Sequence, residues 1–271
     1  MIIDNLKLMR KHRKSISDNF TYPEFCLKAS VDDLTFNTFR NNEIYKNILE
    51  HIDYNLALSY YDLLLKKYKL APKKIYSMIK KLNYTGGPSL IKIDDSIPEL
   101  SATGLRYLFT GLEIKDFVKK NNLQSSNIVE LGCGYGGQSI ILQELLDIDN
   151  YTYVDLNEVN LLIKRFINNY DINFKPIYKT LKSNFNSNYD IFISNYSFSE
   201  LPRNLQKKAV KKIINNSLSG YMIINSENFS KKYNFMKKDD YKNLFKNYEI
   251  YNEFPQSSQR ELNYVYKFIK D

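Results

Sequence analysis

The chain has 271 residues, 43% hydrophobic and 25% charged, with a formal net charge of +9 and two cysteines, Cys26 and Cys133, far apart. This is the composition of an ordinary folded protein, and no apolar run reaches the roughly 18 to 20 residues of a bilayer-spanning helix, which excludes a membrane span. A charge of +9 raises nucleic acid or an anionic surface as partners, but 23 tyrosines, no tryptophan and two histidines beside abundant Lys, Asn and Ile mark an AT-rich genome, so part of the lysine content is compositional drift.

The opening residues, MIIDNLKLMRKHRK, turn charged too early for a signal peptide. Cys133 stands in a glycine-rich stretch where a disulfide would obstruct any ligand. Both observations favour a reducing compartment, the cytoplasm. From residue 2 to about 81 the apolar period is helical, with Ile44, Ile48, Ile52, Leu56, Tyr60 and Leu64 as its markers. The run 66–81 carries seven lysines on such a pattern, which reads as a solvated helix face, with a binding stripe for a nucleotide diphosphate or a nucleic acid as the other reading. Residues 83–99 gather Gly86, Gly87, Pro88 and Pro98, the mark of a loop or domain junction. The division expected is 1–95, a helical lid or substrate region, and 96–271, an α/β domain.

Residues 101–120 return to a helical period, with Ser101 as its cap. Short apolar runs then alternate with helical stretches: 127–131, 151–156, 174–179, 190–195 and 221–226, with helices expected over about 137–147, 157–169 and 202–216. That rhythm predicts a mostly parallel sheet covered on both faces. The last two runs, 248–254 and 263–269, are joined by PQSSQREL alone, too short for a crossover helix, so they should pair antiparallel.

The segment 127–139, NIVELGCGYGGQS, carries the functional signal. A strand ends in Glu130 and enters Gly132, Gly134, Gly136 and Gly137 before a helix begins. Glycines suit such a turn because it needs unusual φ values and because a ligand can then approach bare backbone. A NAD or FAD fingerprint is the first competitor. Asp155, 25 residues beyond Glu130 at the end of the next strand, is placed to accept both hydroxyls of a ribose, and serves either cofactor.

The acid two positions before the first glycine resembles motif I of class I S-adenosylmethionine-dependent methyltransferases. A reversed last strand resembles their seven-stranded, Rossmann-like sheet. The string SNYSFSEL (194–201), the SATGLRY helix start (101–107) and the helical N-terminal region resemble the sugar O-methyltransferase family of bacterial polysaccharide gene clusters. This resemblance covers about residues 84–271. It implies S-adenosyl-L-methionine as cofactor and a sugar hydroxyl as acceptor, such as that of a nucleotide-activated heptose for capsule or another surface polysaccharide. The absence of an NPPY or DPPY string at 195–200 weakens the nucleic-acid alternative. A methyltransferase of another small molecule, or a non-catalytic nucleoside-binding module, stays open.

The resemblance implies that Glu130, Gly132, Gly134 and Gly136 line the methionine part of the cofactor, that Asp155 takes the ribose, and that Leu156 lies against the adenine. Asn195 stands at the ligand-binding edge of the sheet. Arg106 is either a fork for the cofactor carboxylate or a surface helix charge. Tyr135 is either an aromatic face for the sulfonium or a core aromatic, and Cys133 is a packing residue. Methylating an alcohol needs a general base. Neither histidine lies in the α/β part, so Glu200 is the first candidate and His51, on a lid helix, the second. Asp94, Asp95 and Glu227 read as solvated loop charges, with substrate or metal contact as the alternative. No cluster has metal-ligand spacing, and no obligatory metal is expected.

Overall fold

The computed structural model describes residues 21–225, 235–257 and 262–270; the opening residues and Glu227 lie outside them. Helices α1 (Thr21–Val31), α2 (Asp33–Thr38), α3 (Glu43–Lys46), α4 (Tyr54–Lys66) and α5 (Pro72–Ile79) precede a short antiparallel pair, β1 (Leu90–Ile91) and β2 (Leu100–Ser101). There follow α6 (Ala102–Lys120), β3 (Asn127–Leu131), α7 (Gly137–Leu142), β4 (Asn150–Val154), α8 (Asn157–Ile167) and β5 (Lys175–Lys179). The chain continues with β6 (Tyr189–Asn195), α9 (Ser197–Glu200), α10 (Arg203–Lys212), β7 (Ser217–Ile224), α11 (Lys238–Lys242), β8 (Asn247–Asn252) and β9 (Tyr264–Ile269).

The helical spacing of 44–64 runs through a break. Asn42 and Asp53 each accept a hydrogen bond from the backbone two or three residues on, starting α3 and α4 separately. Residues 47–53 between them are turn and loop. The lysine-rich run is likewise divided, between the end of α4 and α5, with Lys69 at φ 52° where the chain bends. Ser101 caps α6 through Gly104 N at 3.2 Å, as its position in the sequence predicts. The three crossover helices are shorter than their periods suggested, ending at 142, 167 and 212.

Seven strands form one sheet in the order β5-β4-β3-β6-β7-β9-β8. All neighbours are parallel as far as β7, and β9 is antiparallel to both β7 and β8. This is the expected seven-stranded sheet with its last strand reversed. Strand alternation sends side chains into two cores. Ile128, Tyr151, Ile191, Ile193, Tyr221, Ile223 and Val265 face one of them, together with the N-terminal helices, α6, α7 and α8. Val129, Phe192, Met222, Ile224 and Tyr266 face the other, under α9, α10 and α11. In α8 the buried set Val159, Leu162, Ile163, Phe166 and Ile167 has the helical spacing that makes one apolar stripe. Residues 22–82 therefore share a core with the sheet, and their 39–51 portion reaches the glycine-rich turn. Among the described residues no helix is long and apolar enough to cross a membrane, and both cysteines are buried free thiols.

Candidate active site at the carboxyl edge of the sheet

The turn leaving β3 is held in left-handed backbone at Gly132 (φ 78°), Gly134 (φ 57°) and Gly136 (φ 85°), conformations open to glycine at low cost. It is also crowded. A Cβ on Gly132 would lie 2.0 Å from Ser197 Cβ, and one on Gly134 would lie 2.9 Å from Leu49 Cδ2. The glycines thus allow the start of α9 and the 47–53 loop to close on bare backbone. Asp155, just past β4, turns its carboxylate onto the same turn: Oδ2 accepts from Cys133 N and Oδ1 from Leu156 N, both at 2.8 Å.

Burial dominates the electrostatics. It pushes the Asp155 carboxyl up to about 6 in spite of the backbone N–H groups around it. Glu130, 2% exposed and accepting from the Tyr151 hydroxyl at 2.9 Å, is pushed up to about 8, with Asp155 as a further cause. Two interacting carboxyl groups that resist ionisation favour a cation beside them. A pair of adjacent acidic groups, of which Asp155 is the more readily ionised, is a specific feature of this edge in a chain of net +9.

Arg106 is buried, not a surface helix charge. It donates to the Leu49 carbonyl at 3.1 Å and stands 5.8 Å from the centre of the Tyr196 ring. Tyr135 is fully buried among Phe39, Tyr45, Tyr107 and Phe166, with the Arg40 guanidinium 4.5 Å over its face. Cys133 packs as a small residue whose thiol donates to the Glu130 carbonyl at 3.1 Å; burial raises its pKa. Leu156 is half-buried beside Asp155.

Asn195 ends β6, and its Oδ1 is buried with no hydrogen-bond partner among the described residues. Glu200 closes the single turn of α9, and its Oε1 accepts from Asn225 Nδ2 at 2.9 Å. Burial pushes this carboxyl up to about 7, against the opposing effect of Asn225. His51 is not carried by a helix: it lies exposed in the loop before α4, where partial desolvation and then Arg106 lower its pKa. Asp94 and Asp95 are in the loop between β1 and β2, away from the turn in sequence, with Asp94 accepting from Tyr61 and Ser96.

Three features escape sequence reasoning. Arg40, with no exposure, donates to Glu50 Oε1 (2.6 Å), Ser101 Oγ (2.9 Å) and the carbonyls of Leu82 and Thr85, while Thr103 donates to Glu50 Oε2 (2.8 Å). This ties 40–50 to the start of α6. Tyr196 adopts φ 69°, strained for a non-glycine residue, and its hydroxyl donates to Glu253. Glu253 in turn accepts from Ser257 and Asn263. Only Tyr196 had a signal, being inside the SNYSFSEL string.

The chemistry of these groups fits a cationic nucleoside. Asp155 oxygens and the Asn195 Oδ1, which has no partner among the described residues, can accept hydrogen bonds, the turn offers backbone, and Asp155 supplies negative charge beside Glu130, whose ionisation a cation would favour.

No family model and no curated protein matches the chain. Among solved structures, it is similar to an S-adenosylmethionine-dependent methyltransferase from Clostridium acetobutylicum at 14% identity, covering 59% of this chain and 91% of that chain with a TM-score of 0.47. Magnesium protoporphyrin IX methyltransferase from Synechocystis, with bound S-adenosylmethionine, is similar at 13% identity over 78% of this chain and 94% of that chain, TM-score 0.48. The N-methyltransferase NodS from Bradyrhizobium japonicum, in complex with S-adenosyl-L-homocysteine, is similar at 11% identity over 61% and 86%, TM-score 0.48. Overlaps of this size add nothing to the strand order itself, and the residues of this chain carry the functional argument.

Proposed function

We propose that this protein is an enzyme that transfers a methyl group from S-adenosyl-L-methionine to a hydroxyl of a sugar. The observation that carries the reading is the Gly132–Gly136 turn with the Asp155 carboxylate folded against it, at the carboxyl edge of a sheet whose last strand is reversed. The reversed strand favours methyl transfer over a dinucleotide reaction, since a plain Rossmann sheet lacks it. The sugar acceptor rests on the resemblance of residues 101–107 and 194–201, as does a role in capsule or other surface polysaccharide synthesis with a nucleotide-activated substrate.

When bound, the cofactor supplies an electrophilic methyl group on a positively charged sulfur. Asp155 is the group that would hold its ribose hydroxyls, and the 132–136 backbone, Glu130 and Asn195 would surround its methionine part. Leu49 stands on Gly134, so entry requires that side chain to swing aside. Arg106 donates to the backbone carbonyl of Leu49, so it becomes available to a carboxylate when the 47–53 backbone moves together with that side chain. Residues up to 95, in this reading, serve as the lid over the reaction.

Glu200 would accept the acceptor's proton at its carboxylate. Its pKa of about 7 makes it both ionisable at neutral pH and basic enough to act, which is the compromise general bases need. The ionised form is the active one, so the rate should rise with pH through about 7 and level off above it. Glu200→Gln should lower the rate by about 100-fold or more and remove that pH limb. S-Adenosylhomocysteine release from a panel of free and nucleotide-activated sugars, followed between pH 5.5 and 9, measures both; an unchanged profile in Glu200→Gln would move the base to His51.

A further inference from the structure

Between α4, α6 and the reversed part of the sheet lies a cavity of about 120 Å³. Its walls include Tyr60, Phe109, Tyr221, Tyr251 and Phe254. Two of these are open to solvent at its mouth, Phe254 at 69% and Tyr251 at 38% exposure. The volume is on the scale of one six-membered ring, since an apolar cavity of roughly 150 Å³ takes up benzene. Tyr196 links this space to the end of β6, whose next residue but one, Ser197, packs on Gly132 of the turn. Its backbone continues from Asn195, its ring faces Arg106, and its hydroxyl donates to Glu253, which lines the cavity.

The charges here are already committed. Lys67 is paired with Glu113, Lys267 Nζ lies 3.8 Å from the same carboxylate, and Glu253 accepts from Tyr196, Ser257 and Asn263. The aromatic faces also hold ammonium groups of the chain itself: Lys267 Nζ is 5.1 Å from the centre of the Tyr251 ring and 5.3 Å from that of Tyr221. Two cations and two carboxylates balance. A phosphate or carboxylate entering this cavity would lose water without gaining an uncommitted cation, which is costly. An uncharged ring meets no such penalty. Its C–H faces can lie on the tyrosines, and its hydroxyls can reach Thr110, Asn252 and the carboxylate oxygens at the ends.

We propose that this cavity receives one uncharged, hydroxyl-bearing saturated ring of the acceptor, and that any phosphate the acceptor carries stays outside it. The proposal rests on the methyl-transfer reading for its purpose, but binding can be measured without cofactor. Because the chain has no tryptophan, Phe254→Trp at the exposed mouth provides a single fluorescent reporter, and Tyr251→Trp provides a second should the first fold poorly. Methyl α-D-glucopyranoside, inorganic phosphate and phenol are the probes. A saturable emission change with the glycoside is expected, weakened about tenfold or more when Tyr251→Ala is added to the Phe254→Trp reporter and unaltered by Leu161→Ala on the exposed side of α8. No saturation with the glycoside, tighter saturation by phosphate, or a response to phenol alone would each overturn it. Calorimetry of the wild type with S-adenosylhomocysteine separates failure of the cofactor reading from failure of this one.

Discussion

Replacing Asp155 by alanine is expected to weaken S-adenosylhomocysteine binding by about 100-fold or more, because two hydrogen bonds to a charged acceptor are lost at once, each contributing about 1.5 to 3 kcal/mol. The carboxylate also organises the turn through Cys133 N and Leu156 N, so part of the loss will come from a less ordered turn. Asp155→Asn keeps one acceptor oxygen and should fall between the wild type and the alanine variant. The same residue sets a pH dependence. With its carboxyl raised to about 6, the wild type is mostly ionised at pH 8, and its affinity should fall as the pH drops through about 6, where protonation removes an acceptor. Calorimetry at pH 5.5 and 8 on the three proteins gives both comparisons. An alanine variant that binds within a factor of about three of the wild type would remove Asp155 from the site.

Arg40→Ala should be the most destabilising single change near the site, by about 3 to 5 kcal/mol, the range for removing one partner of a buried ion pair. The guanidinium serves four acceptors at once, Glu50, Ser101 and two backbone carbonyls. Without it Glu50, whose side chain is 7% exposed, keeps only the Thr103 hydroxyl among those partners. Arg40→Lys should recover little, because one ammonium cannot reproduce the planar fork toward acceptors in different directions. The double change Arg40→Met with Glu50→Leu should be milder than Arg40→Ala, since no buried charge is stranded. Urea unfolding of the three variants decides the matter. A loss below about 1 kcal/mol in Arg40→Ala would show that this ion pair does not anchor the 40–50 segment.

These two residues also mark what could be read in the sequence and what could not. Asp155 was legible because its evidence is local: a strand-end carboxylate at a fixed distance from a glycine-rich turn. The reversal of β9 was legible for a similar reason, as eight residues between two apolar runs leave no room for a crossover. Arg40 had no such signal. Its partners come from residues 50, 82, 85 and 101, and nothing in FRNNE distinguishes a buried guanidinium from a surface one. The loop carrying His51 was hidden differently, because the apolar spacing from Ile44 to Leu64 continues in phase across the break. The caps Asn42 and Asp53 were the available clue, since each starts a helix with its own side chain. Tyr196 sat within the SNYSFSEL string, yet its positive φ, between the end of β6 and the Ser197 that packs on Gly132, is displayed only by the folded chain.

The most direct measurement is titration of one wild-type sample by calorimetry with S-adenosylmethionine, S-adenosylhomocysteine and NAD. A turn with Glu130 and Asp155 beside it predicts saturable, one-site binding of both sulfur nucleosides and no binding of NAD. Saturable heat from NAD, with none from either sulfur compound, would contradict it.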